Sequence, residues 1–555
     1  MFKELIAFIK REGDLSFWKN IIWISMLTGA TSAGLIAVVN KAGDTATNGN
    51  LNFRLFAIYI VLFLIYYTTK QYSLKKASAE IEHLIDKTKK RISNKIAKSE
   101  LRTMEWLQPS TLLTRLSRDT AVISQSSFQF TSASQAGIML VFSMIYILTI
   151  SRVVFFALII SSVVVVYSYF LYLKQYNTAL RTLNMSEEQS LGSFTSILNG
   201  FKELKINAQK NRDLLEHHNS NLDKLFSLKL KNSKATTTLI LYGDIFLYTL
   251  LGLVVFIAPH LSKMEDSTLI KLTAITIFII GPFSTIVNAI PIVSKTNVAV
   301  KSLDDLEKTL DKELQSEERI EENIESFSTF QQLSLKQVEF EYKNKANETM
   351  FTIGPIDLSV KKGEILFIVG GNGSGKSTLI KVLLGLYFPT NGGITVDDEL
   401  IESYNYQSYR NLFSIILTDF HLFNRLYGVK NPNRREVNKL LIEMELNKKT
   451  KFIDGSFTNT DLSTGQRKRL ALIMAILEDK SIYVFDEWAA DQDPEFRKYF
   501  YEVILIRLKE QGKTVIAVTH DDAYFHVADN VYKMNYGQLS PYQTTQGENP
   551  PCTSL

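Results

Sequence analysis

The stretch Gly370-Gly371-Asn372-Gly373-Ser374-Gly375-Lys376-Ser377 fits G-x-x-x-x-G-K-[ST] at every fixed position. Before it runs the short apolar segment Glu364-Ile365-Leu366-Phe367-Ile368-Val369, which reads as a buried strand. After it, Thr378-Leu379-Ile380-Lys381-Val382-Leu383-Leu384 reads as a helix. Glycines in such a turn let successive backbone N–H groups converge on phosphate oxygens, and the helix N-terminus adds positive partial charge. Lys376 is then expected to reach the outer phosphates, and Ser377 to offer its hydroxyl to Mg²⁺. A Gly-rich turn that binds nothing is the competing reading, and Lys and Ser together weigh against it.

Outward from this loop the chain divides into two regimes. Its 555 residues exceed one ordinary core, so at least two domains are expected. Before about residue 300 long apolar segments recur, whereas the rest alternates strand-like and helix-like patterns as an α/β domain does. The net charge of +5 is modest for this length and gives no case for nucleic acid. A single cysteine, Cys552, excludes a disulfide framework and a cysteine metal site.

Six spans near the ~20 residues needed to cross a bilayer are expected at about 18–40, 55–75, 128–150, 152–174, 236–260 and 270–293. The first is too long for a cleavable signal and is read as a retained helix. Lys and Arg crowd the loops between spans two and three, from Lys70 to Arg102, and between four and five, from Lys202 to Lys234. That bias places both termini and the α/β domain in the cytoplasm. Both basic loops are patterned like helices, with Trp106-Leu107-Gln108-Pro109 and Phe201-Lys202-Glu203-Leu204 as candidate docking turns. Asp244 in span five either lines a cavity or meets water at the boundary, and Asn288, Pro282 and Pro291 either shape a pathway or kink span six. The expected domains are a six-helix membrane domain over 1–300, a charged linker over 301–330, an α/β P-loop nucleotide-binding domain over 331–545 and a polar tail over 546–555.

Further motifs follow the loop in order. Leu462-Ser463-Thr464-Gly465-Gln466 precedes a helix-like run, and Ile482-Tyr483-Val484-Phe485-Asp486-Glu487 reads as a buried strand ending in two acids. Asp486 suits Mg²⁺ held through water, and Glu487 suits a base for the attacking water. With these motifs the chain resembles the ATP-binding cassette (ABC) family, in the arrangement of exporter half-transporters, over essentially its whole length. The resemblance implies Tyr342 stacked on adenine, and Gly370, Asn372, Gly373, Ser374, Gly375, Lys376, Ser377 and Thr378 around the phosphates. It implies that Ser463, Gly465 and Gln466 meet the γ-phosphate held by a second cassette, so that a one-cassette chain works as a dimer, here a homodimer. It further implies Asp493 as the loop acid linking the two sites and His520 as the switch beside the γ-phosphate.

Three departures mark the chain. Thr464 replaces a signature glycine, Thr418 stands where the family has a Gln near Mg²⁺, and Phe457-Thr458-Asn459-Thr460-Asp461 replaces an acidic stretch. Together with Asp419-Phe420-His421-Leu422-Phe423 and Asp486-Glu487-Trp488-Ala489-Ala490-Asp491-Gln492-Asp493-Pro494, they resemble the cyclic-peptide and siderophore-peptide exporters of Gram-negative bacteria, the pyoverdine and syringomycin type. That resemblance implies ATP-driven export of a peptide-derived metabolite across the inner membrane, with or without a periplasmic or outer-membrane partner. A lipid flippase or multidrug exporter is the alternative. An ATP-gated channel is a different class, against which intact Glu487 and His520 argue.

Overall fold

The computed structural model describes residues 3–13, 15–46, 53–107, 109–262, 266–314, 327, 330–343, 348–402 and 404–542. The chain forms two compact units, Met1–Ala97 with Leu107–Asp311, and Lys98–Trp106 with Lys312–Leu555.

The first unit is helical. A short amphipathic helix α1 (Lys3–Glu12) precedes α2 (Leu15–Ala46) and α3 (Phe53–Lys98). After the short helix α4 (Leu101–Trp106), which clusters with the second unit, come α5 (Thr120–Ile150) and α6 (Arg152–Asn199). The sharp reversal between these two falls at Ser151, whose extended backbone ends α5 and whose hydroxyl accepts from Val154 N. A one-and-a-half-turn helix α7 (Phe201–Ile206) then joins α6 to α8 (Ala208–Gly252), and α9 (Asp266–Leu314) closes the unit. Among the described residues five segments are long and apolar enough to cross a membrane. The expected span at 152–174 falls on α6, where many side chains lie outside the described set.

The sequence reading places a linker from residue 301, and the structure corrects it: α9 continues to Leu314. Leu303, Leu306 and Leu310 are buried at 4%, 0% and 0%, an i, i+3, i+7 stripe hidden among charged neighbours. Most of the remaining stretch, the polar tail and Cys552 lie outside the described residues. Two acids between those leucines, Asp304 and Glu307, are ion-paired rather than solvated. Glu307 accepts from Arg91 Nε at 2.6 Å and Lys95 Nζ at 2.7 Å, and Arg11 reaches Asp304 at 2.6 Å. Buried Glu12 shares Arg11 and Arg91, so α1, α3 and α9 are tied at one level.

The second unit holds the α/β domain. Strands β1 (Gln332–Lys343), β2 (Thr349–Lys361), β4 (Asn391–Val396) and β5 (Glu399–Leu400) form an antiparallel sheet in the order β2-β1-β4-β5. A second sheet has the order β12-β11-β3-β10-β9-β6, from β3 (Ile365–Val369), β6 (Phe413–Ile416), β9 (Ile482–Asp486), β10 (Thr514–Val518), β11 (Asn530–Asn535) and β12 (Gln538–Pro541). Strands β7 (Phe452–Ile453) and β8 (Ser456–Phe457) make a small hairpin. In the second sheet β6, β9, β10, β3 and β11 run parallel, which requires cover on both faces. Alternation supplies it: Leu366 and Ile368 of β3 join one core with Val484 and Ile516, and Ile365 and Phe367 join the other with Tyr483 and Val515. Helices α10 (Lys376–Leu383), α11 (Arg434–Glu443), α12 (Thr464–Glu478) and α13 (Pro494–Tyr499) connect these strands.

Of the first expected docking turn, Trp106-Leu107-Gln108-Pro109, only Trp106 belongs to this unit, as the last residue of α4; Leu107 clusters with the helical unit and Gln108 lies outside the described residues. Glu105 accepts from Lys381 Nζ at 2.8 Å and from Tyr387 O–H at 2.6 Å, and Leu101 packs on the core. The second is α7, at the end of the helical unit, with Ile206 88% and Phe201 58% exposed.

Candidate active site

Four of the parallel strands release their functional residues at one edge, where strand carboxyl ends leave a crevice. From β3 the chain enters the loop Gly370–Ser377, which opens α10. Gly370 has φ +151° and a Cβ there would stand 2.3 Å from Met534 O. Gly375 has φ +108° and faces Ile353 at 2.9 Å, so both positions exclude a side chain. Lys376 is buried, and its Nζ donates to Gly370 O at 2.9 Å and Gly371 O at 3.1 Å, folded back over the loop it serves. Asn372 and Ser377 are exposed along the rim, Thr378 is half-buried, and Ser374 Oγ is buried without a partner among the described residues.

Asp486 ends β9 and is 4% exposed. Its Oδ2 accepts from Thr418 Oγ at 3.0 Å, while Oδ1 has no partner among the described residues. Burial pushes this carboxyl above its ordinary value, the Thr418 hydroxyl opposes the shift, and the neighbouring Glu487 charge adds to it. Thr418 is thus bonded to this acid. An orphaned buried carboxylate oxygen beside the Thr418 hydroxyl offers the oxygen donors a hard cation takes, so these residues fit Mg²⁺.

Glu487 adopts φ +50°, and the left-handed turn lifts its carboxylate off the strand line. Its N–H donates to Val518 O at 3.1 Å, and its carbonyl accepts from Lys468 Nζ at 2.7 Å. Beneath it Trp488 is buried, bonded through Nε1 to Lys468 O at 3.0 Å and stacked on Phe500 at 4.2 Å, a pairing worth about 0.5–1.5 kcal/mol beyond its area. From the end of β10, His520 brings Nε2 to 3.2 Å from Glu487 Oε1. Sequence reasoning missed what holds this histidine. The hydroxyl of buried Tyr501 meets Thr519 Oγ at 2.6 Å and donates to Asp521 Oδ2 at 2.9 Å, gripping the residues on either side. It missed Phe351 as well. That residue pairs with half-buried Tyr342 across β1 and β2, and its ring lies 3.3 Å from where a Gly375 Cβ would stand. No motif marks either position.

Ser463, Gly465 and Gln466 form a second group, at the N-terminus of α12. Gln466 Oε1 accepts from Ser463 N at 3.3 Å, and Gly465 O accepts from Gln492 Nε2 at 3.1 Å. A Cβ on Gly465 would stand 2.7 Å from Asp491 O. Asp493 caps α13 through Phe496 N at 2.9 Å, which holds its carboxyl below the usual range. Arg469 bonds Gln492 and Asp493 together, so the turn after Glu487 and the loop before α12 form one hydrogen-bonded block.

Comparison with known proteins fits this geometry. The family model described as ABC transporter matches residues 353–490. Over 543 residues the chain is 30% identical to the ATP-binding protein SyrD of Pseudomonas syringae pv. syringae, covering 94% of each. The chain belongs to the ABC transporter family. This ABC transporter is also 30% identical over 199 residues to an ATP-dependent lipid A-core flippase of Ralstonia nicotianae, covering 33% of each. A bacterial Atm1-family ABC exporter with ATP bound shares its fold, with a TM-score of 0.78 and 16% identity over 96% of this chain and 95% of that one. The transporter is thus a multi-pass membrane protein of the exporter fold that couples ATP hydrolysis to transport.

Proposed function

We propose that two copies of this chain bind two ATP between their nucleotide-binding domains and export a peptide-derived metabolite, cyclic or otherwise modified, a siderophore or its precursor included. The observation that carries the ATPase half is the meeting of Lys376, Asp486, Glu487 and His520 at one sheet edge. In this reading Lys376 leaves the Gly370 and Gly371 carbonyls for the β/γ-phosphates, which replace them as acceptors. Tyr342, with Phe351 beside it, stacks on the adenine. Ser377, Asp486 and the Thr418 hydroxyl would hold Mg²⁺, which would neutralise charge developing on the phosphates. Glu487 orients and deprotonates the attacking water, and His520 exchanges its Nε2 contact with that carboxylate for one donated to the γ-phosphate. Ser463, Gly465 and Gln466 act on the nucleotide of the opposite copy, with Asp493 transmitting between the sites.

Peptide cargo is supported by the motor's resemblance to peptide exporters, and the SyrD match, reaching 94% of both chains, supports the exporter arrangement. The flippase match covers a third of the chain, and lipid transport is the second reading. The basic loops support an inner-membrane placement with both termini cytoplasmic. ATPase activity of the protein in lipid, wild type beside Glu487→Gln, across a panel of modified peptides and lipids tests both readings. The expected result is a fall of about 10²–10⁴-fold in the variant and a wild-type rate that changes with one peptide class. A response to lipids alone moves the cargo to the second reading.

A further inference from the structure

Lys468 lies one turn into α12 and is only 3% exposed. An ammonium that deep in a core persists only where acceptors replace its water. Two do so here. Its Nζ donates to Glu487 O at 2.7 Å and meets Asp491 Oδ2 at 2.6 Å. Both acceptors belong to the turn after β9, in which Glu487 is left-handed and Trp488–Asp491 wind into a single 3₁₀ turn. The clasp is mutual. Trp488, 1% exposed, donates from Nε1 back to Lys468 O at 3.0 Å, so each side chain holds the other residue's element.

Glu487 needs such a clasp. Its φ of +50° is one that residues with a side chain rarely adopt and that surroundings must enforce. On one side its N–H donates to Val518 O at 3.1 Å. On the other its carbonyl is held by Lys468, with Ala490 N a longer donor at 3.4 Å. Together these bonds set φ and ψ of Glu487, and those angles set where its Cα–Cβ bond points. The side chain so directed brings Oε1 to 3.2 Å from His520 Nε2.

We infer that Lys468 is a positioning residue for hydrolysis: by holding the Glu487 carbonyl it aims the Glu487 carboxylate at the attacking water. It acts through Glu487 alone, and the inference rests on the reading of Glu487 as the base. Asp491 has the lesser part. Its side chain is 47% exposed, and an amide in its place still accepts from Lys468 while leaving the bond to Glu487 O intact.

The test is steady-state ATPase of the full-length protein in lipid nanodiscs, read with Tm, for wild type, Lys468→Met, Lys468→Gln and Asp491→Asn. Both Lys468 variants are also made in a Glu487→Gln background, where the residual rate is read as single turnovers over hours. Methionine keeps the apolar stem and removes the donor. For Lys468→Met kcat is expected to fall about 10–100-fold, the cost of a base displaced by ~1 Å, with KM for ATP within about threefold of wild type. Lys468→Gln keeps a shorter donor, so its kcat should fall less than that of Lys468→Met but by at least about threefold. It also carries the test if Lys468→Met does not fold. Asp491→Asn should stay within about threefold of wild type. In the Glu487→Gln background both Lys468 variants should change the rate by less than about twofold, because no base is left to aim. A purely structural role predicts the same fold loss in both backgrounds, and that result overturns the inference. So do Lys468 variants with kcat within threefold of wild type, a loss carried by KM, or an Asp491→Asn loss as deep as that of Lys468→Met. Each of those outcomes leaves Glu487 standing as the base. A Glu487→Gln variant that hydrolyses ATP as fast as wild type overturns that reading, and the role of Lys468 with it.

Discussion

Asp486 shows how one side chain sets the pH behaviour of the motor. Burial raises its pKa above the ordinary carboxylate value, so the folded protein binds this proton more tightly than the unfolded chain. The stability the group contributes is therefore full below about pH 3.9 and is lost as pH rises through the folded value. As pH rises through the folded value the site gains a buried charge whose Oδ1 has no partner among the described residues. Asp486→Asn is expected to raise Tm at pH 7, by about 2–4 °C for each kcal/mol relieved, and to abolish Mg²⁺-dependent ATPase. Scanning fluorimetry from pH 4 to 8 reads it: the gap to wild type should narrow toward acid, and a gap constant with pH contradicts the account. The acid itself was legible in sequence, because two carboxylates at the end of an apolar strand have few structural uses. Its clasp by Thr418 was not, since a hydroxyl's partner depends on where two distant strands end. Tyr501 was invisible for the same reason, lying 18 residues from the threonine it holds.

At the scale of elements, long segments declared themselves and short ones did so only through motifs. Strands β3 and β9 were readable because short apolar runs leading into a Gly-rich loop or a pair of acids have few alternatives, whereas β6 and β11 carry no such mark. The continuation of α9 to Leu314 was hidden because Glu307, Asp304 and Arg91 look solvated in sequence and are ion-paired in the fold. The turn expected at Trp106-Leu107-Gln108-Pro109 meets α4 only at Trp106, and the anchor Glu105 became apparent only with Lys381 and Tyr387 in view. Glu105→Ala removes the acceptor for both while leaving the sheet edge untouched. Basal ATPase of this variant should stay within about twofold of wild type, since the phosphate loop keeps its contacts, while stimulation by cargo falls severalfold. A basal rate that falls as far as the stimulated one would show that Glu105 supports folding rather than communication.

For the whole molecule the division into two units followed from composition, whereas its working form is a matter of stoichiometry. With one nucleotide-binding domain per chain, the site is proposed to be completed by a second copy's Ser463 and Gly465. Ser463→Arg should then leave ATP affinity within about threefold of wild type, because Lys376 and the loop remain. It should abolish turnover, and mixing it with Glu487→Gln should restore part of the activity through dimers holding one undamaged site. Light scattering with ATP present should give twice the chain mass for Glu487→Gln, and a monomer under that condition would refute the arrangement. The long helices set the mechanics of such a pair. At ~1.5 Å per residue α8 is about 68 Å long, of which ~30 Å suffices for hydrocarbon, and the rest carries α7 at its end. Each such helix is a lever pivoted in the bilayer, with its longer arm in water. A stroke applied at α7 therefore arrives at the opposite end shortened and strengthened, and the bending stiffness of residues 208–235 decides how much of the work is delivered to cargo.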